Sequence, residues 1–182
     1  NDNCSPVSVN FRADTQTQSL NPSDYTWTVS DASGLITQSS TGTNPNFNFV
    51  FSNNATSFKD FSVNLRATLS TGCQSDSTRK IRVSPVPSSL FRIDTLQFDC
   101  KVLRVRLTAI QKGLSAYHWV IAENGITMVN QTSTADNIER TFNRPAPLGA
   151  PMAAQFSLDT RNFANCPSLV STANIAVPPQ DN

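Results

Sequence analysis

Tyr25-Thr-Trp27-Thr-Val-Ser-Asp31-Ala and Tyr117-His-Trp119-Val-Ile-Ala-Glu123-Asn stand 92 residues apart, and their reading decides the fold. Successive side chains of an extended strand point to opposite faces, so each Tyr and the Trp two positions later share one face. Both stretches run into turn-forming residues, Asp31-Ala-Ser-Gly34 and Glu123-Asn-Gly125.

Working outward, the matches continue in the same order. Cys4 answers Cys100, and Val7-x-Val9-x-Phe11-x-Ala13 answers Leu103-x-Val105-x-Leu107-x-Ala109. Phe61-x-Val63-x-Leu65 answers Ala154-x-Phe156-x-Leu158, Cys73 answers Cys166, and Ile81-x-Val83 answers Ile175-x-Val177. Six ordered matches make an internal repeat, and each matched run alternates apolar and polar with the period of a half-buried strand. Asn, Ser, Gly and Pro clusters separate the runs, and no amphipathic helical stretch intervenes. The pattern predicts an all-β chain of two tandem β-sandwich domains, residues 1–86 and 91–182, joined by a linker at 87–90. Pro85 and Pro87 should stiffen that joint so that the modules sit end to end with limited bending, and Pro178-Pro179 closes the second half as though another module or tether followed.

Composition narrows the function. A formal net charge of +1 leaves no electrostatic footprint for nucleic acid, and a surface rich in Ser, Thr, Asn and Gln suits a secreted β-protein. No apolar run approaches the roughly 20 residues that cross a bilayer, so membrane insertion is not expected. Asn1 follows no signal-like segment, which reads as a mature or excised piece. His118 is the single histidine and Glu occurs only at 123 and 139, so a hydrolytic site has little to be built from. The chain is read as a non-enzyme without cofactor.

The four cysteines predict two disulfides inside the modules, Cys4 to Cys73 and Cys100 to Cys166, with a linker-spanning Cys73 to Cys100 bond as the rival. Closing the 69-residue separation of the first pair would contribute roughly 4 kcal/mol in the chain-entropy treatment. A Greek-key strand order sets a difficulty, since it can leave Cys4 and Cys73 at opposite ends of their strands. Oxidation implies an extracellular or periplasmic address. The isolated thiols lack the paired spacing of a zinc site.

The remaining candidates each have a structural and a functional reading. Tyr25, Trp27, Tyr117 and Trp119 form core signatures, or else the Trp rings are exposed platforms for a sugar. His118 should face the opposite side of its strand, toward solvent. The Asp31 and Glu123 turns are sparse in oxygen ligands for calcium and read as turns. Lys101, Arg104 and Arg106 guard a sheet surface, or contact an acidic polysaccharide. Asn54-Ala-Thr56 and Asn130-Gln-Thr132 match the N-glycosylation sequon. Ser77 and Thr95, each preceded by Asp, are similar to the O-glycosylation sites of secreted Bacteroidetes proteins.

The Tyr-x-Trp strand, Phe61 to Thr68, the Gly72-Cys73 turn and the Ile81-x-Val83 strand before Pro85 together resemble PKD-like domains, immunoglobulin-like modules of bacterial surface proteins, particularly those of gliding and adhesive Bacteroidetes. Where that family shows Trp-Asp-Phe-Gly-Asp-Gly, this chain departs at both Trp strands. The resemblance implies seven-stranded sandwiches acting as a spacer or interaction module in a longer secreted or cell-surface chain, with no catalytic residues. Expected partners are neighbouring modules of the same chain and surface proteins or polysaccharide. The alternatives are a carbohydrate-binding module, and an accessory domain of a secretion machinery or secreted enzyme that grips its partner through an exposed sheet edge.

Overall fold

The computed structural model describes residues 3–14, 22–147 and 149–180. The chain forms two compact units, Asn1–Val86 and Pro87–Asn182, and both are all-β.

In the first unit, β1 (Asn3–Cys4), β2 (Val7–Arg12), β3 (Asp24–Asp31), β4 (Ile36–Gly42), β5 (Asn46–Phe51), β6 (Lys59–Thr68) and β7 (Gln74–Ser84) make two sheets. The larger has the order β1-β7-β6-β3-β4 and the smaller pairs β2 with β5. β3 alternates buried Tyr25, Trp27 and Val29 with polar residues, so its apolar face lies inward. Phe47 stacks on Trp27 at 5.5 Å and Phe51 meets Phe61 edge-on at 5.1 Å, joining the sheets through aromatic contacts.

The second unit repeats the plan with β8 (Phe91–Phe98), β9 (Val102–Ala109), β10 (Ala116–Glu123), β11 (Ile126–Ser133), β12 (Asn137–Asn143), β13 (Met152–Arg161) and β14 (Ser171–Val177). Its sheets are β11-β10-β13-β14 and β12-β9-β8. Tyr117, Trp119 and Ile121 on β10 are buried against Leu107, Phe142, Phe156 and Leu158, with Phe91 edge-on to Trp119 at 5.5 Å. The units differ in their first strand. β1 runs parallel to β7 in the larger sheet, whereas β8 pairs antiparallel with β9 in the opposite one.

Each unit ties its exit strand with a buried polar residue two positions past a core Phe. Asn53 follows Phe51 and donates from Nδ2 to the carbonyls of Ser57 and Val83, both at 2.8 Å. Arg144 follows Phe142, donates to the carbonyls of Asp99 (2.5 Å), Pro178 (3.3 Å) and Pro179, and lies 4.5 Å over the Phe98 ring. Residues 87–90, expected as a linker, are held within the second unit. The Ser88 amide donates to Gln111 Oε1, and the buried Ser89 hydroxyl donates to the Leu169 carbonyl.

The cysteines require a correction. Cys73 and Cys100 are free, exposed thiols, so neither the two intradomain bridges nor the Cys73 to Cys100 bond is formed; Cys4 and Cys166 are in the disulfide-bonded state. Strand direction is the reason. Cys4 pairs in register with Ser84 at the end of β7, while Cys73 sits just before its start. Eleven residues at about 3.3 Å each set them some 36 Å apart, against the roughly 7 Å a disulfide allows. In the second unit Cys100 lies in the turn beside Asp99, whose carbonyl accepts from Arg144 together with that of Pro178, next to the Val177–Met152 end of β13. Cys166 lies beyond its other end, accepting from the Asn162 amide, so β13 separates the two by about 30 Å.

Candidate functional site

The outward face of β10, β13 and β11 in the second unit brings His118, Asp159 and Asn130 together. His118 stands opposite Asp159 across the β10–β13 ladder and diagonal to Asn130 on β11. Its Nδ1 lies 2.7 Å from Asp159 Oδ2 and its Nε2 lies 2.7 Å from Asn130 Oδ1. Two acceptors on the two ring nitrogens favour the doubly protonated imidazolium. The Asn130 contact first, and then the Asp159 carboxylate, raise the pKa of His118 above its ordinary value. A shallow depression here is lined by Ala116, His118, Thr132, Asp159, Thr160 and Arg161. The Arg161 guanidinium is held by Asn165. His118, placed on the outer face by period-two reasoning, is therefore a bridge between three strands rather than a free base.

The other candidates are also taken up by the scaffold. Trp27 and Trp119 are 5% and 1% exposed, and Tyr25 and Tyr117 are buried beside them. The Tyr117 hydroxyl donates to the Gln111 carbonyl and accepts from the Leu114 amide. Asp31 Oδ1 accepts from Ser33 N, Ser33 Oγ and Leu35 N, which closes the turn around Gly34 (φ +82°). The Ser33 hydroxyl is the main reason the Asp31 carboxyl titrates below the usual range. Glu123 accepts from Arg140 at 2.6 Å, and Asn124 and Gly125 complete the turn with positive φ. Arg104 and Arg106 both reach Glu139, which faces Arg106 across the β9–β12 ladder. The Arg106 contact, then that of Arg104, holds the Glu139 carboxyl below its ordinary pKa. One carboxylate thus offsets half of the two-arginine charge, and Lys101 is exposed at the end of the same segment. Asn54, Asn130, Ser77 and Thr95 are all exposed.

What period-two reasoning did not single out is the strand after each Trp strand. β4 is exposed at every residue, and β11 at all but Val129 and Ser133. Both are edges of their sheets, and neither contains Asp, Glu, Lys, Arg or Pro. Ser40 lies opposite Trp27 and Gln131 opposite Trp119. These two sit on the core-side face yet are exposed, so each edge strand overhangs its sandwich. A bulge falls at the same place in both, next to the hairpin turn, and leaves Gln38–Gly42 and Val129–Ser133 in regular register. The signal was legible: an uncharged Ile-Thr-led run follows each Gly of the turn.

No protein-family model matches the chain, and no curated protein matches it significantly. Among solved structures, the chain is similar to fibronectin(III)-like modules of Clostridium thermocellum CbhA at 12% identity, TM-score 0.36, covering 98% of this chain and 89% of that one. It is similar to a 1.5-MDa bacterial ice-binding adhesin at 12% identity and TM-score 0.43, covering 97% of this chain and 58% of that one. It is similar to Bacteroides uniformis beta-glucuronidase 3 at 11% identity and TM-score 0.33, covering 87% of this chain and 21% of that one. At these TM-scores the sandwich assignment rests on strand order and core placement. Among the described residues, no helix is long and apolar enough to cross a membrane, and no group of three or more His, Cys, Asp and Glu is placed to hold a metal.

Proposed function

We propose that the chain is a non-catalytic structural and adhesion module, a spacer or protein–protein interaction repeat within a larger secreted or cell-surface bacterial protein. The observation that carries this reading is the burial of the Tyr-x-Trp pair in both units, which turns the conspicuous aromatic signature into core. A sugar platform needs an exposed ring face, and a general acid–base centre needs a group free to exchange protons with substrate. The disulfide-bonded Cys4 and Cys166 support an extracellular address. The finer assignment, a PKD-like pair from a Bacteroidetes-type gliding or adhesin protein, is supported by the Phe61–Thr68 strand and the Gly72-Cys73 turn. Neighbouring modules of the same chain and other surface proteins are the partners it implies.

The purified chain, tested by calorimetry against a broad panel of neutral and acidic polysaccharides, is expected to show no saturable binding. Saturable binding that is lost in folded His118→Ala or Arg104→Ala/Arg106→Ala variants would replace this reading with a carbohydrate-binding module. The second reading, a partner-binding accessory domain, is favoured by the exposed and uncharged edges β4 and β11.

A further inference from the structure

We propose that β4 and β11 are homotypic docking edges, each pairing antiparallel with the same strand of a second copy of this chain; the inference rests on the interaction-repeat reading above. An edge strand presents unpaired backbone donors and acceptors, and folded proteins ordinarily blunt such edges with charges, prolines or bulges. Here the bulge lies only at the hairpin end, and the regular runs Gln38–Gly42 and Val129–Ser133 carry neither charge nor proline.

The occupant follows from the side chains. A charged peptide would find no counter-charge on either run, whereas a second copy brings none that repels. Centred on Ser40, self-pairing of β4 sets Gln38 against Gly42 and Ser39 against Thr41, with Ser40 facing its own copy. Centred on Gln131, self-pairing of β11 sets Val129 against Ser133 and Asn130 against Thr132. Cross-strand Thr and Ser pairs favour association, and the Thr26–Thr41 hydroxyl contact at 3.2 Å shows such a pair on the other side of β4. Ser40 and Gln131 occupy equivalent places, each opposite the core Trp, and both side chains are exposed.

The contact is weak by size. Five residues make a ridge about 17 Å long, which buries far less than the roughly 1,200 Å² of a standard stable interface. Two such edges on one chain compensate through multivalency. Each self-pairing is a closed two-fold contact, but two different ones on one chain propagate into open-ended assemblies.

The test is sedimentation velocity on the full chain from micromolar to millimolar concentration, in a Cys73→Ser, Cys100→Ser background so that thiol-linked species do not arise. The parent is expected to associate without a fixed end-point. Ser40→Lys or Gln131→Lys alone should stop growth at a dimer, and the double variant should be monomeric, with unchanged far-UV circular dichroism in each. Opposed like charges should weaken the edited contact up to about fivefold. Mixing Ser40→Lys/Gln131→Lys with Ser40→Glu/Gln131→Lys should restore a heterodimer. A parent that stays monomeric at millimolar concentration, association untouched by the lysines, or no rescue on mixing would overturn the proposal. Failure of the module reading has a separate signature, saturable polysaccharide binding.

Discussion

Trp119 gives the sharpest test of how the second core is held together. Its side chain is 1% exposed, and its indole Nε1 has no hydrogen-bond partner among the described residues. An orphaned buried donor costs about 1–3 kcal/mol. Replacing the indole by a phenyl ring removes that penalty while giving up some 40 Å² of apolar contact, worth about 1 kcal/mol at ~25 cal/mol/Å². The two effects nearly cancel, so Trp119→Phe should change stability by less than about 1.5 kcal/mol. Trp119→Ala removes the whole ring beside Phe91 and should cost about 3–5 kcal/mol. Urea unfolding followed by far-UV circular dichroism reads both all-β units in each variant, so the transition that Trp27 fluorescence does not follow belongs to the second. Trp27 fluorescence reports the first unit and serves as the internal control. A Trp119→Phe loss as large as that of Trp119→Ala would refute the reasoning, because it would mean that the N–H has a partner worth keeping.

Three further outcomes are expected. Arg144→Met leaves the Asp99, Pro178 and Pro179 carbonyls without their donor; it should destabilise the second unit by about 2–4 kcal/mol and speed amide exchange at Gln180, which donates to the Pro145 carbonyl. His118 has a raised folded pKa, so its contribution is fully present below its unfolded value near 6.5 and is lost as pH rises through the folded value; the melting temperature of the second unit should fall across that window, and His118→Asn should flatten the step. A thiol reagent applied to the folded, unreduced chain should modify Cys73 and Cys100 within minutes while Cys4 and Cys166 react only after reduction, as mass spectrometry of the labelled peptides will show.

The repeat was legible because it is written in inward-facing residues. Tyr25, Trp27, Tyr117 and Trp119 alternate with polar neighbours, and period two alone assigns their face. Cysteine partners were not legible, because equivalent positions in sequence say nothing about which end of a strand a residue occupies. Cys4 and Cys73 look like a bracket around the first module, yet the parallel β1–β7 pairing sends them to opposite ends. The place of the first strand was equally hidden: β1 and β8 precede matched strands but join different sheets. His118 was placed on the outer face by pattern, but its bridge to Asp159 and Asn130 needs the β10–β13 and β10–β11 registers, which no local run of sequence fixes.

Where the second unit puts its charges separates its two sheets. β8 carries Arg92 and Asp94, and β12 carries Glu139 and Arg140, so both edges of the sheet β12-β9-β8 are charged. Edges of that kind resist pairing with another chain. The sheet β11-β10-β13-β14 has uncharged strands at both of its edges, but β14 alternates exposed positions with partly buried ones and ends on the buried Val177. β11 alone combines a charge-free edge with near-complete exposure, and β4 repeats that combination at the equivalent place in the first unit. Ser40 and Gln131, opposite the two Trp residues, would be apolar if the opposing sheet covered them. Polar and uncharged side chains there keep an overhanging strand soluble without adding the charge that would bar a partner strand. Arg104 and Arg106, on central β9, meet Glu139 across one ladder, so ion pairing secures the closed sheet while the open one is left with backbone hydrogen bonding to offer.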